Sequence, residues 1–317
     1  MNSADPSPER RTGFLYGLAA YGFWGVLPIY FKQIPNVPPV DVVAHRVIWS
    51  VPLLLALLGL TGGLAGLRET VHQPRLIGLL AITAVLIAVN WLLYIYAITS
   101  GHILAGSLGY YLNPLANVLL GRFVLKERLT SLQWAAVIIA ALGIGALAIG
   151  ALGQLWISLG LCFSFATYGL LRKMAPVDSP IGLTIETALL LPFAGVWLAL
   201  GVAAGKPSFG STTHDTLFLV AAGIVSTTPL LLFTAAARKL PYSTLGMLQF
   251  IAPTLQFLLA VAVYGEPFTT AHAVAFGAIW TALAMFVLAI TRAGDAASVP
   301  ERTETPAEAR RSSRASN

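Results

Sequence analysis

Long apolar runs separated by short polar turns recur along the whole chain. They fall at 13–31, 40–60, 76–97, 103–121 and 131–150, then at 154–171, 181–203, 216–237, 242–264 and 270–291. Each is close to the roughly 20 residues that carry an α-helix, rising about 1.5 Å per residue, across a hydrocarbon layer about 30 Å thick. The pattern therefore predicts an all-α membrane protein with ten transmembrane helices. The first run is too long for the apolar core of a cleaved leader and ends in Lys32 rather than at a small-residue site, so it reads as the first span. The runs at 131–150 and 270–291 are rich in alanine and glycine and lack polar side chains at mid-depth, which suits scaffold packing, with a dimer as a second use of the same faces. Thr130 to Gln133 has the spacing of a capping box opening the fifth run.

The pattern is written twice. Shifted by 139 residues, Pro114 meets Pro253, Asn117 meets Gln256, Leu120 meets Leu259, Val124 meets Val263 and Glu127 meets Glu266. Shifted by 141, Trp24 meets Phe165, Lys32 meets Lys173, Pro35 meets Pro176 and His45 meets Glu186. Five spans per half is an odd number, so the second half must enter the membrane from the opposite side. The expected organisation is a cytoplasmic N-terminus (1–12), a first five-helix repeat (13–150), an inverted second repeat (154–291) and a disordered cytoplasmic tail (292–317). Inverted repeats with interrupted helices place a substrate cavity between the halves, and Pro114, Pro229 and Pro253 are the expected helix breaks.

Composition agrees, with 57% hydrophobic residues and only 10% charged among 317, against about 25% charged in soluble domains. The net charge of +6 is a topology signal. Sixteen of the nineteen lysines and arginines fall in the turns and tails on one side, Lys32 and Lys206 on the other, and Arg46 inside a span. The bias places both termini in the cytoplasm. Cations scattered over turns do not form a nucleic-acid-binding face. The single cysteine, Cys162, lies inside a span and offers neither a disulfide nor a cysteine metal cluster. The sequence lacks the zinc-protease, nucleophile-elbow, Walker A, dinucleotide-binding and C-x-x-C patterns. No enzyme, metal site or cofactor is expected. The expected partners are a small-molecule substrate and the bilayer, with the chain a monomer or homodimer. A secondary transporter fits best; a receptor or assembly subunit is the alternative.

Charges inside spans cost about 2.5–3.5 kcal/mol on insertion scales, so each needs a reason. Arg46 and Glu186 are the charges expected at a cavity, and with His45, which can take up a proton near neutral pH, Glu186 is a proton-coupling candidate. Polar and aromatic groups gather near the prolines: Trp49, Asn90, Trp91, Tyr94, Tyr110, Asn113 and Gln249 join Arg46 as expected substrate contacts. Proline frees a backbone carbonyl that polar groups must satisfy. Arg46 and Glu186 enter from opposite sides and sit in opposite thirds of the core. They are expected not to pair, Arg46 drawing an anionic group in an outer vestibule and Glu186 a cation or proton in an inner one.

Several stretches are familiar. His45-Arg46 with Trp49-Ser50, Asn90-Trp91 with Tyr94, the run from Ser107 to Pro114, and Glu127-Arg128-Leu129 resemble the RarD family of EamA-type transporters in the drug/metabolite transporter superfamily. So do Tyr168 to Lys173, Gly182-Leu183 with Glu186-Thr187, Thr228-Pro229-Leu230 and Leu248 to Thr254 in the second half. Phe250 stands where that family's pattern has tyrosine. The resemblance implies a ten-helix permease of a bacterial-type inner membrane, its cavity formed by spans one to four and six to nine. The resemblance does not give the substrate; export of small amphipathic metabolites or drugs is expected because aromatic rings beside a few amides suit such ligands.

Overall fold

Prolines and glycines set the helix ends. Pro39 opens α2 (Pro39–Thr61) at a position where its missing N–H leaves no bond unmade. Gly62, at φ 73°, closes that helix with its N–H on the Leu58 carbonyl. The computed structural model describes residues 8–100, 102–148, 153–265 and 270–297. The other helices are α1 (Pro8–Phe31), α3 (Leu64–Val71), α4 (Pro74–Thr99), α5 (Ile103–Phe123), α6 (Ser131–Ala148), α7 (Leu155–Met174) and α8 (Ser179–Ala203). They are followed by α9 (Thr213–Lys239), α10 (Tyr242–Leu248), α11 (Ile251–Leu258) with a π-helical turn at Leu259–Val263, and α12 (Thr270–Ala297).

Among the described residues, seven stretches are long and apolar enough to cross a bilayer: Pro8–Phe31, Pro39–Thr61, Pro74–Ala97, Leu155–Met174, Ser179–Ala203, Thr213–Lys239 and Tyr242–Val263. Ser131–Ala146 and Ala273–Ala289 are shorter apolar helices. The short α3 was not anticipated. α1 begins at Pro8, inside the segment expected to be a polar terminus, and α12 runs to Ala297, into the expected tail. The rest of that tail, 298–317, lies outside the described residues, as does Glu266.

The expected helix breaks are corrected at two of three prolines. α5 and α9 run continuously through Pro114 and Pro229. Only near Pro253 is the chain interrupted, at Gln249–Phe250 between α10 and α11. Lacking an N–H, Pro253 cannot bond the Gln249 carbonyl four residues back. Ala252 takes that carbonyl instead, in a tighter turn at 3.2 Å.

Small residues decide which helices touch. α1 buries Gly13, Gly17, Ala20 and Gly25, one side of the helix, against Lys239, Leu245, Leu248 and Leu255. Gly143 of α6 lies against Ala275 and Ala278 of α12, so that alanine- and glycine-rich face is used within the chain. α5 packs on α7 and α10, α1 on α9 and α11, α2 on α8 and α9, and α4 on α7 and α8. At the centre an aromatic cluster joins Tyr21 and Trp24 to Phe165, Tyr168 and Phe233. The capping box forms as expected: the Thr130 N–H donates to Gln133 Oε1 at 2.8 Å and the Gln133 N–H to Thr130 Oγ1 at 3.3 Å.

The two ends of the bundle close differently. At the arginine-rich end, the Glu127 carboxylate accepts from the Tyr242 and Ser243 N–H groups and the Ser243 hydroxyl, at 2.5, 3.0 and 2.6 Å, supplying the cap that α10 otherwise lacks. Lys173 Nζ donates to the last carbonyls of α9, Ala237 at 2.8 Å and Leu240 at 2.5 Å. At the other end, Asp41 accepts from Trp197 Nε1 at 2.8 Å and from the Ser208 hydroxyl, which pins the α8–α9 loop over the start of α2.

Candidate functional site

Between α2, α4, α7, α8 and α9 lies a cavity. Arg46 and Ser50 come from α2, Trp91 from α4, Tyr168 from α7, Glu186 and Thr187 from α8, and Ser226 and Thr227 from α9, with aliphatic side chains between them. Its polar residues follow helical spacing: Arg46 and Ser50 are four apart, and Thr227 meets them from α9 because Gly223 lets α9 approach the Trp49 backbone. A Cβ on Gly223 would lie 2.6 Å from the Trp49 carbonyl carbon. A water-sized sphere has about 20 Å³ in which to move, room for about one water and not for a metabolite. The helices are therefore nearly closed around the cavity.

Glu186, 1% exposed, is held by three residues from two elements, α4 and α7. Thr83 Oγ1 of α4 donates to Oε1 at 2.5 Å, the Tyr168 hydroxyl to Oε2 at 3.4 Å, and Arg172 Nε stands 3.5 Å from Oε1. Arg172 is itself 1% exposed and donates through Nη2 to the Ser179 carbonyl at 3.3 Å. Gly182 makes room for it: a Cβ there would lie 2.0 Å from Arg172 Nη1.

Arg46 is not a partner of Glu186. Its guanidinium carbon lies 3.8 Å from the centroid of the Trp91 ring, a cation–π contact. Among the described residues it has neither a carboxylate nor a hydrogen-bond acceptor. The expectation that Arg46 and Glu186 do not pair holds, but the expectation of two separate vestibules is corrected, because both residues line one cavity.

The other expected contacts divide. Tyr110 meets Tyr94 edge to face at 5.4 Å. Asn90 is turned away, its amide donating to the Leu161 carbonyl at 2.9 Å and the Ser164 hydroxyl at 3.0 Å, so it ties α4 to α7. Gln249 accepts from Asn117 at 2.9 Å and ties α10 to α5. Asn113 is fully buried with both amide atoms unpartnered among the described residues. Trp49 points to the α8–α9 loop, 6.0 Å from Phe209. His45 stacks on the same Phe209 at 5.2 Å, its ring nitrogens buried and unpartnered.

Sequence reasoning did not assign Arg172, Thr83, Tyr168, Ser50, Thr187 or Ser226 to the site, although Ser50, Tyr168, Arg172 and Thr187 stand in the stretches that carry the family resemblance. Arg172 stood among the turn cations because Lys173 and Pro176 follow it. A usable signal was spacing: Tyr168 with Arg172, and Gly182 with Glu186, are each four residues apart and so share a helix face.

Residues 11–149 match the EamA-like transporter family. The chain is 46% identical over 288 residues to Protein RarD of Escherichia coli K12, an alignment covering 88% of this chain and 95% of the relative. It is 44% identical over 290 residues to an uncharacterized transporter of Vibrio cholerae, covering 91% and 96%. It is 34% identical over 277 residues to the chloramphenicol-sensitive protein RarD of Pseudomonas aeruginosa, covering 86% and 92%. Among solved structures, one crystal structure superposes with a TM-score of 0.67 at 22% identity, over 87% of this chain and 97% of that one.

Proposed function

Since the chain belongs to the RarD family of EamA-like transporters, we propose that it is a secondary transporter exporting small amphipathic metabolites or drugs by alternating access between two inverted five-helix repeats. The observation that carries this reading is the cavity, whose walls come from α2 and α4 of the first half and from α7, α8 and α9 of the second. Exchange of such halves about a shared site is how alternating access works.

The helix pairing supports the repeat. Exchanging α1 with α7, α2 with α8, α4 with α9, α5 with α10–α11 and α6 with α12 turns the α1–α9 contact into α7–α4. The same exchange turns α2–α9 into α8–α4 and α5–α7 into α10–α11 with α1, all of which occur. The pairs α2–α8, α5–α10 and α6–α12 map onto themselves. Trp24 and its repeat mate Phe165 touch, centroids 5.9 Å apart, as residues beside a two-fold axis must. Ten spans, cytoplasmic termini and a bacterial inner membrane complete the proposal, on the charge asymmetry of the two ends.

Flux into or out of proteoliposomes containing only this protein, driven by a substrate gradient, tests the reading. Reporter fusions after Lys206 should face the periplasm and those after Lys239 the cytoplasm. The opposite pattern overturns the inverted topology, and the absence of flux across a broad metabolite and drug screen overturns transport.

A further inference from the structure

The charges around the cavity do not cancel. Arg46 and Glu186 line it, and Glu186 is matched by Arg172, so two guanidinium groups face one carboxylate and one positive charge is left over. The leftover charge is on Arg46, which has no acceptor among the described residues yet is open to the cavity. A guanidinium lying over a ring keeps its in-plane N–H groups free, and that planar fork matches a carboxylate through two parallel bonds.

The other donors are spoken for. Thr227 donates to Ser50 at 2.6 Å, and Ser50 to the Arg46 carbonyl at 2.5 Å. Thr187 donates to the Leu183 carbonyl at 2.7 Å, and Tyr168 to Glu186. Among the lining hydroxyls, Ser226 makes no side-chain hydrogen bond to the described residues. A dianionic phosphate, with three oxygens to satisfy, would find one guanidinium and one hydroxyl. A carboxylate needs no more than the guanidinium.

We propose that Arg46 is the anchor of a carboxylate subsite, and that the cargo is a monoanion with its carboxylate on Arg46 and an apolar body against Trp91 and Leu190. This rests on the transporter reading of the same cavity. A neutral cargo would leave the guanidinium unpaired in a low-dielectric site, and a cation would be repelled by it.

The test uses full-length protein purified in detergent and four probes that share a phenyl ring: 3-phenylpropanoate, its amide, 3-phenylpropylamine and phenyl phosphate. Affinity is read by calorimetry and by ligand-induced thermal stabilisation. The acid should bind at least about tenfold tighter than the amide, the range that charge-assisted hydrogen bonds give, with the amine and the phosphate weaker still. Arg46→Gln should remove the preference for the acid over the amide, and Arg46→Lys should retain part of it. An acid that binds no better than its amide, a preference for phenyl phosphate, or undiminished acid binding by Arg46→Gln overturns the proposal. The acid-to-amide comparison needs no variant, so it stands even if Arg46→Gln does not fold. Flux separates the two readings. Transport of neutral compounds unaffected by Arg46→Gln overturns the carboxylate subsite and leaves the transporter. Arg46-dependent binding of the acid, with no flux of any compound, upholds the subsite and overturns transport.

Discussion

Removing one partner of the Arg172–Glu186 pair should cost far more stability than removing both. At 3.5 Å and an effective dielectric of about 20, the attraction is about 5 kcal/mol. Most of it offsets the cost of taking two ions out of water, so the pair as a whole contributes little. Its absence on one side leaves the other charge buried, at a cost of about 3–5 kcal/mol. Arg172→Met leaves Glu186 with two hydroxyl donors, from Thr83 and Tyr168. Glu186→Gln leaves Arg172, which cannot shed its proton, with neutral acceptors only, among them the Ser179 carbonyl. Glu186→Gln is therefore the costlier single substitution, near the upper end of that range, and Arg172→Met lies near the lower end. Arg172→Met with Glu186→Gln should recover most of the loss. The assay is a double-mutant cycle on purified protein, from equilibrium unfolding in mixed micelles, with thermal midpoints as a second measure. A coupling below about 0.5 kcal/mol, the ordinary error of additivity between distant sites, would refute the argument that the two groups depend on each other.

Gly182→Ala should lower stability by about 1–3 kcal/mol and make a further Glu186→Gln substitution cheaper than in the wild type, because the added methyl displaces the Arg172 guanidinium; the same unfolding assay reads it. Glu127→Gln keeps an acceptor at the start of α10 but loses the charge that three donors face, and should cost about 1–2 kcal/mol; Glu127→Ala should cost more, and equal losses would count against the capping role. Asp41→Ala releases Trp197 and Ser208, so amide exchange across 204–212 should quicken about tenfold or more while the middle of α9 is unchanged; exchange that spreads evenly through α9 would mean the bundle, not the loop, had loosened.

What the sequence disclosed follows from which physics is local. Helix length and hydropathy are properties of a run, so most of the runs lie close to helices found, although 242–264 is divided among α10, α11 and the π-helical turn, and the offset of the proposed repeat is visible because aligned residues keep their chemistry. Arg46 and Glu186 stood out because a charge in an apolar run has to be explained. Arg172 did not, because whether it lies in a turn or in the core depends on where α7 ends, and one further turn to Met174 carries it inside. The amides were ambiguous in principle. Asn90 and Gln249 carry the same donor and acceptor whether they face a ligand or another helix, and only packing turned them to Ser164 and Asn117. The prolines were ambiguous for the same reason. A proline ends a helix only where nothing around it holds the two sides in line. α5 stays continuous past Pro114 between α7 and α10, where Gly246 sits against the Pro114 carbonyl. Near Pro253 the chain takes the tighter turns instead.

On the proposed repeat, the aligned residues that differ bear on how the cavity would open. Trp24 and Phe165 keep one role, stacked against each other at the centre. His45 and Glu186 align in the proposed repeat, about two turns into α2 and α8, yet one stacks on Phe209 while the other is paired with Arg172. Lys32 and Lys173 diverge as well: Lys173 holds two carbonyls at the end of α9, while Lys32 lies 3.1 Å from the centre of the Tyr264 ring. Opening at the arginine-rich end therefore disturbs a buried ion pair, at about 3–5 kcal/mol if one charge is stranded. Opening at the Asp41 end separates two hydrogen bonds to a carboxylate, which water can replace, and lifts the exposed Phe209 off the buried His45. On the proposed alternating-access reading, the two ends thus close the same cavity with unequal strength, and without cargo the Asp41 end is expected to open first.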